Sequence, residues 1–362
     1  MLLTLVLALG AFNLVSSQTA PKAPYTRTEC TKPTQRKPWQ ALNDKEKQDY
    51  INADLCLMSA PPQSGIKGAK SRWDELQYSH IAQSDYIHFV GAFLPFHRYF
   101  VTAHGHLLQT ECNYTGPLPY WDEPLDVGAI ANSSLFRGPL SFGGDGRDPT
   151  RCIADGPFAN LTLRFHEDLS YSPEYCVSRS MNDVTFSMAA RANIENCLKQ
   201  PAFTLAWQCI EGLPHGAGHA GIMGTMVNPM LSPGDPVFYL HHGYLDKMWW
   251  DWQVQNLSSR LIDIGGNNTA AAGFPFGGGG FGFNTTGPSP FNFTAPPGNG
   301  SQPFPGFPIS NRTINKAFTD YFNDGGPVTT LNHTLWSANI MANATIRDVM
   351  DPRSGFVCAE YF

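Results

Sequence analysis

A mainly α-helical domain with long irregular connections is what this 362-residue chain predicts, and three observations predict it. Apolar residues recur at helical spacing over 39–58, 74–110, 182–212 and 235–258. Between and beyond those stretches, Gly, Pro and Asp collect in segments that oppose regular structure. No internal repeat and no clear second domain appears, so 18–362 reads as one unit.

Taken in order, MLLTLVLALGAFNLVSS (1–17) is apolar and then small, the pattern of a secretory signal peptide. Residues 18–38 are polar and contain proline, and are expected to form an irregular arm. The next stretch, WQALNDKEKQDYINADLCLM, carries a helix start signal at Asn43-Asp44. Residues 74–110 hold two helices, broken around Gly91 and Pro95. Residues 116–160 read as loop. Helices resume over 182–212 and 235–258. Then 262–308, rich in Gly, Pro and Phe, reads as a surface loop or a rim over a substrate site. The tail, 313–362, has mixed order.

The composition narrows the function. The chain is 42% hydrophobic and 12% aromatic with a net charge of -6, so a sizeable core forms and no basic stripe invites nucleic acid. Apart from the leader, no apolar run is long enough to span a bilayer. Eight cysteines in an exported chain predict disulfides, and no C-x-x-C pair suggests otherwise. Glycosylation sequons at Asn113, Asn132, Asn160, Asn256, Asn267, Asn284, Asn292, Asn299, Asn311, Asn332 and Asn343 point the same way. A secreted glycoprotein, acting as a monomer, is the expectation.

The 11 histidines are unevenly placed. His215 and His219, in HGAGH, are spaced i, i+4, which puts both rings on one face of a helix. Two imidazoles so placed chelate a metal. A third donor is available from the adjacent pair in DPVFYLHHGYLDKMWW, where His241 and His242 diverge by about 100° on a helix, so that one of them faces the metal. A second group, His80, His88 and His97, lies in HIAQSDYIHFVGAFLPFHRYF. Its spacings of eight and nine suit two helices with His88 on the connection. A lone buried histidine is more often a satisfied polar residue, and His104, His106, His166 and His333 are read so. Six rings in two sets of three are better explained by two metals, because each left without a partner costs about 1–3 kcal/mol. Imidazole ligation suits Cu, Zn, Fe or Ni rather than Ca or Mg.

HFVGAFLPFHRYF followed by DPVFYLHHGYLDKMW resembles the type 3 copper proteins: tyrosinases, catechol oxidases and hemocyanins. The likeness is greatest to the short secreted fungal tyrosinase-like polyphenol oxidases, and GPLPYWD (116–122) and DGPF (155–158) extend it. The resemblance implies a four-helix bundle core holding two copper ions, one on His80, His88 and His97, the other on His215, His219 and His242. It turns His241 elsewhere in the pocket wall. Phe238 is expected to pack on the ligand rings and Asp246 to accept a ring N–H and fix its tautomer. Glu211 matches a family glutamate that holds a water and removes the substrate's proton. A pairing of Cys30 with Cys358 is expected among the disulfides.

The implied activity is oxidation of o-diphenols by O2 to o-quinones, with o-aminophenols or monophenols as further phenolic substrates. Two departures bear on it. Monophenol-hydroxylating relatives often carry Asn after the first histidine of the second set, where this chain has Gly216, and the residue after the second, Ala220, is equally inert. Diphenols are therefore the favoured substrates. The family's thioether-forming cysteine, two residues before His88, is replaced by Tyr86. Two alternatives stay open: a tailoring enzyme of fungal secondary metabolism, including non-redox chemistry with zinc, and an O2-binding hemocyanin-like protein.

Overall fold

The computed structural model describes residues 29–268 and 326–362. The leader 1–17 and nearly all of the loop 262–308 lie outside the described residues. Ten helices are described: α1 Asp44–Ser59, α2 Arg72–Ile87, α3 Phe93–Glu111, α4 Asp183–Phe186, α5 Arg191–Leu198, α6 Phe203–Ile210, α7 Gly216–Ile222, α8 Val237–Val254, α9 Leu257–Arg260 and α10 Ile346–Val349. The mainly helical expectation is borne out. The strands are short: β1 Thr34–Pro38, β2 Leu118–Tyr120, β3 Thr162–Leu163, β4 Tyr175–Cys176, β5 Thr334–Leu335, β6 Ala344–Thr345 and β7 Ala359–Tyr361.

Local chemistry sets the helix ends. Asn43 caps α1 and Glu46 returns the bond, and Ser71 and Asp74 do the same for α2. Each box satisfies two backbone donors that a helix start leaves unpaired. Helix α2 stops at Ile87. His88 is extended, and Phe89 turns the chain through a positive φ of 56°. Pro95 sits in the first turn of α3, where its missing N–H costs nothing.

Helices α3 and α8 pack against each other and are buried almost all round. With α2 and the α6–α7 segment they form four helical pieces around one interior, and every residue of the two histidine groups lies on them. Trp39, Trp73, Trp121, Trp249 and Trp252 are fully enclosed in the surrounding core. The predicted helix over 182–212 is instead broken into α4, α5 and α6.

One expectation is corrected. Residues 34–38 are not irregular but form β1, the middle strand of a parallel sheet ordered β2-β1-β7. Arg36 pairs with Leu118 on one side and with Tyr361 on the other. The disulfide Cys30–Cys358 sits beside this sheet, as expected, and Cys56–Cys112, Cys152–Cys176 and Cys197–Cys209 pair the remaining cysteines.

Candidate metal centre

Three of the donors come from α2 and α3. His80 projects from α2, His88 caps its C-terminal end, and His97 stands one turn into α3. Each ring has one nitrogen against a backbone carbonyl: His80 Nδ1 on Met230 at 3.3 Å, His88 Nδ1 on Ser84 at 3.0 Å, His97 Nδ1 on Phe93 at 2.8 Å. A carbonyl only accepts, so Nδ1 carries the proton and Nε2 is left as a lone pair. The Nε2 atoms of His80 and His97 face each other at 3.3 Å. Two lone pairs at that distance repel unless a cation lies among them.

The other donors come from a distorted helix. Between α6 and α7 the chain makes one π turn, Glu211–His215, with Pro214 inside it. Proline cannot donate its backbone bond there, and the wider turn follows. His215 Nδ1 reaches the Glu211 carbonyl at 3.1 Å, and His219 Nδ1 reaches the Met226 carbonyl at 2.5 Å. Their Nε2 atoms are buried with no hydrogen-bond partner. His242, on α8, has neither ring nitrogen bonded. It stacks on His97 at 4.2 Å between centroids, and Phe238 packs on it at 4.1 Å. Phe238 also meets His80, at 5.2 Å.

Within each group, one nitrogen per histidine lies within 4.8 Å of the others. Burial pushes the rings below the ordinary imidazole range, His88 to about 4. Neighbouring imidazoles lower His80, His97, His215, His219 and His242 further. Neutral, buried and convergent nitrogens are what transition metals take. The donor set fits two ions.

Two expectations fail here. Asp246 touches no histidine ring. Its carboxylate accepts from the buried Arg36 Nη1 at 2.5 Å, from the buried Arg98 Nε and from the half-buried Tyr361 hydroxyl. It ties α8 to α3, β1 and β7, so its work is structural. His241 does not turn away: it joins His215, His219 and His242 in the second group.

Glu211 is buried, and both of its oxygens are engaged. Oε1 accepts from the Phe89 backbone N–H at 2.7 Å and Oε2 from the Trp207 indole at 2.6 Å. Burial raises its pKa from 4.5 to about 8 against the pull of those two bonds. Gly216 and Ala220 lie buried on α7, each next to a histidine and bearing no polar side chain.

Sequence reasoning missed Glu123, Trp207 and Gly218. Glu123 follows GPLPYWD directly, is fully buried, and bonds His241 Nδ1. The signal available was a carboxylate in an aromatic stretch, but nothing nearby in sequence marks its partner 118 residues away.

A buried pair of three-histidine or larger clusters on four helical segments is arranged to hold two metal ions. Residues 70–255 match the family described as the common central domain of tyrosinase. The tyrosinase-like protein phomQ1 of Diaporthe leptostromiformis is 30% identical over 287 residues, 73% of this chain and 72% of that one. Tyrosinase ustQ of Aspergillus flavus is 32% identical over 256 residues, 66% and 69%. The structure of a polyphenol oxidase (mutant G292N) from Thermothelomyces thermophila superposes with a TM-score of 0.69 at 25% identity, covering 91% of this chain and 89% of that one. The chain belongs to the tyrosinase family, and is an oxidoreductase of that group.

Proposed function

We propose that the chain is a secreted dicopper oxidase that converts o-diphenols to o-quinones at the expense of O2. The observation that carries this reading is the convergence of buried ring nitrogens in two groups, with those of His215, His219 and His242 lacking a hydrogen-bond partner. His80, His88 and His97 would hold one copper and His215, His219 and His242 the other. When bound, the copper pair supplies two-electron chemistry with O2 and a Lewis-acid anchor for a phenolate oxygen.

The protein's part is positional. Backbone carbonyls lock five rings in one tautomer, so the donors need no rearrangement when loaded. Phe238 fills the space beside His242 and His80 and excludes water. Glu211 would take the substrate proton, directly or through a water. The Phe89 and Trp207 N–H groups favour its carboxylate form, and cations at the two clusters pull the same way. Gly216 and Ala220 offer nothing to polarise such a water, which suits diphenols, the more acidic substrates. Zinc would occupy the same imidazoles without the electron transfer.

Secretion rests on four disulfides and on seven sequon asparagines, 113, 132, 160, 256, 267, 332 and 343, that are all exposed. Among the described residues no helix is long and apolar enough to cross a membrane.

The test is oxidation of 4-tert-butylcatechol by the copper-loaded chain, with O2 uptake and quinone absorbance followed together. Two quinones per O2 are expected. A chain carrying two coppers that consumes no O2 with any catechol or o-aminophenol contradicts the reading and favours an O2-binding role.

A further inference from the structure

The second histidine cluster contains one imidazole more than the three that the proposed copper assignment uses. His241 is fully buried, and its Nδ1 lies against Glu123 Oε1, also fully buried. When Glu123 is ionised, its oxygen accepts the Nδ1 proton and Nε2 is left as a lone pair. That Nε2 has no hydrogen-bond partner. The ring stands 4.8 Å from His219, 4.9 Å from His242 and 5.7 Å from His215, centroid to centroid. Gly218 makes room for it, because a Cβ at that position would overlap the His241 ring.

His242 is the contrast. Neither of its nitrogens has a partner, and packing against neighbouring rings, Phe238 and His97 nearest, orients it. By the feature that prepares His215 and His219, a partner on Nδ1 with Nε2 bare, His241 is the better-prepared ligand. We propose that His241, oriented by Glu123, is a fourth imidazole donor of the second cluster and holds its metal when His242 is removed. The proposal rests on the two-metal reading above.

The experiment counts bound Cu(II) and Zn(II) per chain, by metal analysis after dialysis, and times their loss to a chelator. Wild type is expected to hold two ions. His242→Ala is expected to keep both, the second about 10- to 100-fold more weakly, the scale of a perturbed ligand set. The double variant His241→Ala/His242→Ala is expected to keep one. If His242→Ala already holds only one ion, indistinguishable from the double variant, the proposal is overturned. Should His242→Ala fail to give native near-ultraviolet dichroism, His241→Ala with His242 intact decides. Loss of the second ion at least tenfold faster than wild type supports the proposal, and an unchanged rate overturns it. A wild-type chain that binds no metal sinks the two-metal reading as well, whereas a two-metal wild type with unaffected variants removes this proposal alone.

Discussion

The Trp207 indole donates to Glu211 Oε2 at 2.6 Å, and this bond joins the helix before the π turn to a carboxylate that also holds the turn after His88. Glu211 therefore spans both halves of the centre: its Oε1 reaches the residue next to His88, and its own carbonyl takes the His215 ring.

Trp207→Phe removes one of two donors that stabilise the carboxylate. Burial is then opposed by one bond rather than two, and the Glu211 pKa rises above about 8 in the metal-free chain. A proton acceptor with a raised pKa works only at higher pH. The acid limb of kcat for a phenol should move upward, and kcat at neutral pH should fall about tenfold, the worth of a hydrogen bond to a charged group. Copper content should stay at the wild-type value. A pH-rate profile with copper analysis checks this, and an unmoved acid limb would show that Glu211 takes no proton.

Asp246→Asn should cost stability and spare the metals. The carboxylate is the common acceptor for Arg36, Arg98 and Tyr361, and Arg98 further holds the Val349 and Met350 carbonyls at 3.0 and 2.7 Å. Breaking a buried ion pair from one side typically costs about 3–5 kcal/mol. The denaturant midpoint should fall while copper per folded chain stays constant. Loss of copper at unchanged stability would instead return Asp246 to the role of orienting a ligand.

Gly216→Asn places an amide directly after His215. An amide there can polarise a water held by Glu211, and general-base help is typically worth 10²- to 10⁴-fold. Monophenol turnover should rise relative to diphenol turnover, measured on tyrosol and hydroxytyrosol. An unchanged ratio, with copper retained, would show that this position does not select the substrate.

How much of this was legible beforehand depended on the range of the interactions. The starts of α1 and α8 and the break between α2 and α3 follow from residues within a turn or two: Asn43 with Glu46, Pro236 before α8, Pro95 after the His88 turn. The i, i+4 pair His215 and His219 reports its own geometry. The parallel sheet was not legible, because β1 finds both partners downstream, one more than 80 residues away and the other more than 320, through strands of three to five residues. Such pairing leaves no periodic signal. The same holds for Asp246. One turn from His242 it looked placed for a ring nitrogen, but Arg36 and Arg98, from distant segments, offer charged donors that an imidazole cannot match. Glu123 and His241 escaped for the same reason, their contact spanning 118 residues.

The account stands or falls on the number of copper ions per folded chain, counted at saturation in wild type, His97→Ala and the double variant His215→Ala/His219→Ala. His97→Ala leaves two donors in the first cluster, and the double variant leaves two in the second. Two ions in wild type and one in each variant are predicted, with the remaining ion in the untouched cluster. A wild-type chain that saturates at one copper, or that retains both ions in each variant, would contradict it.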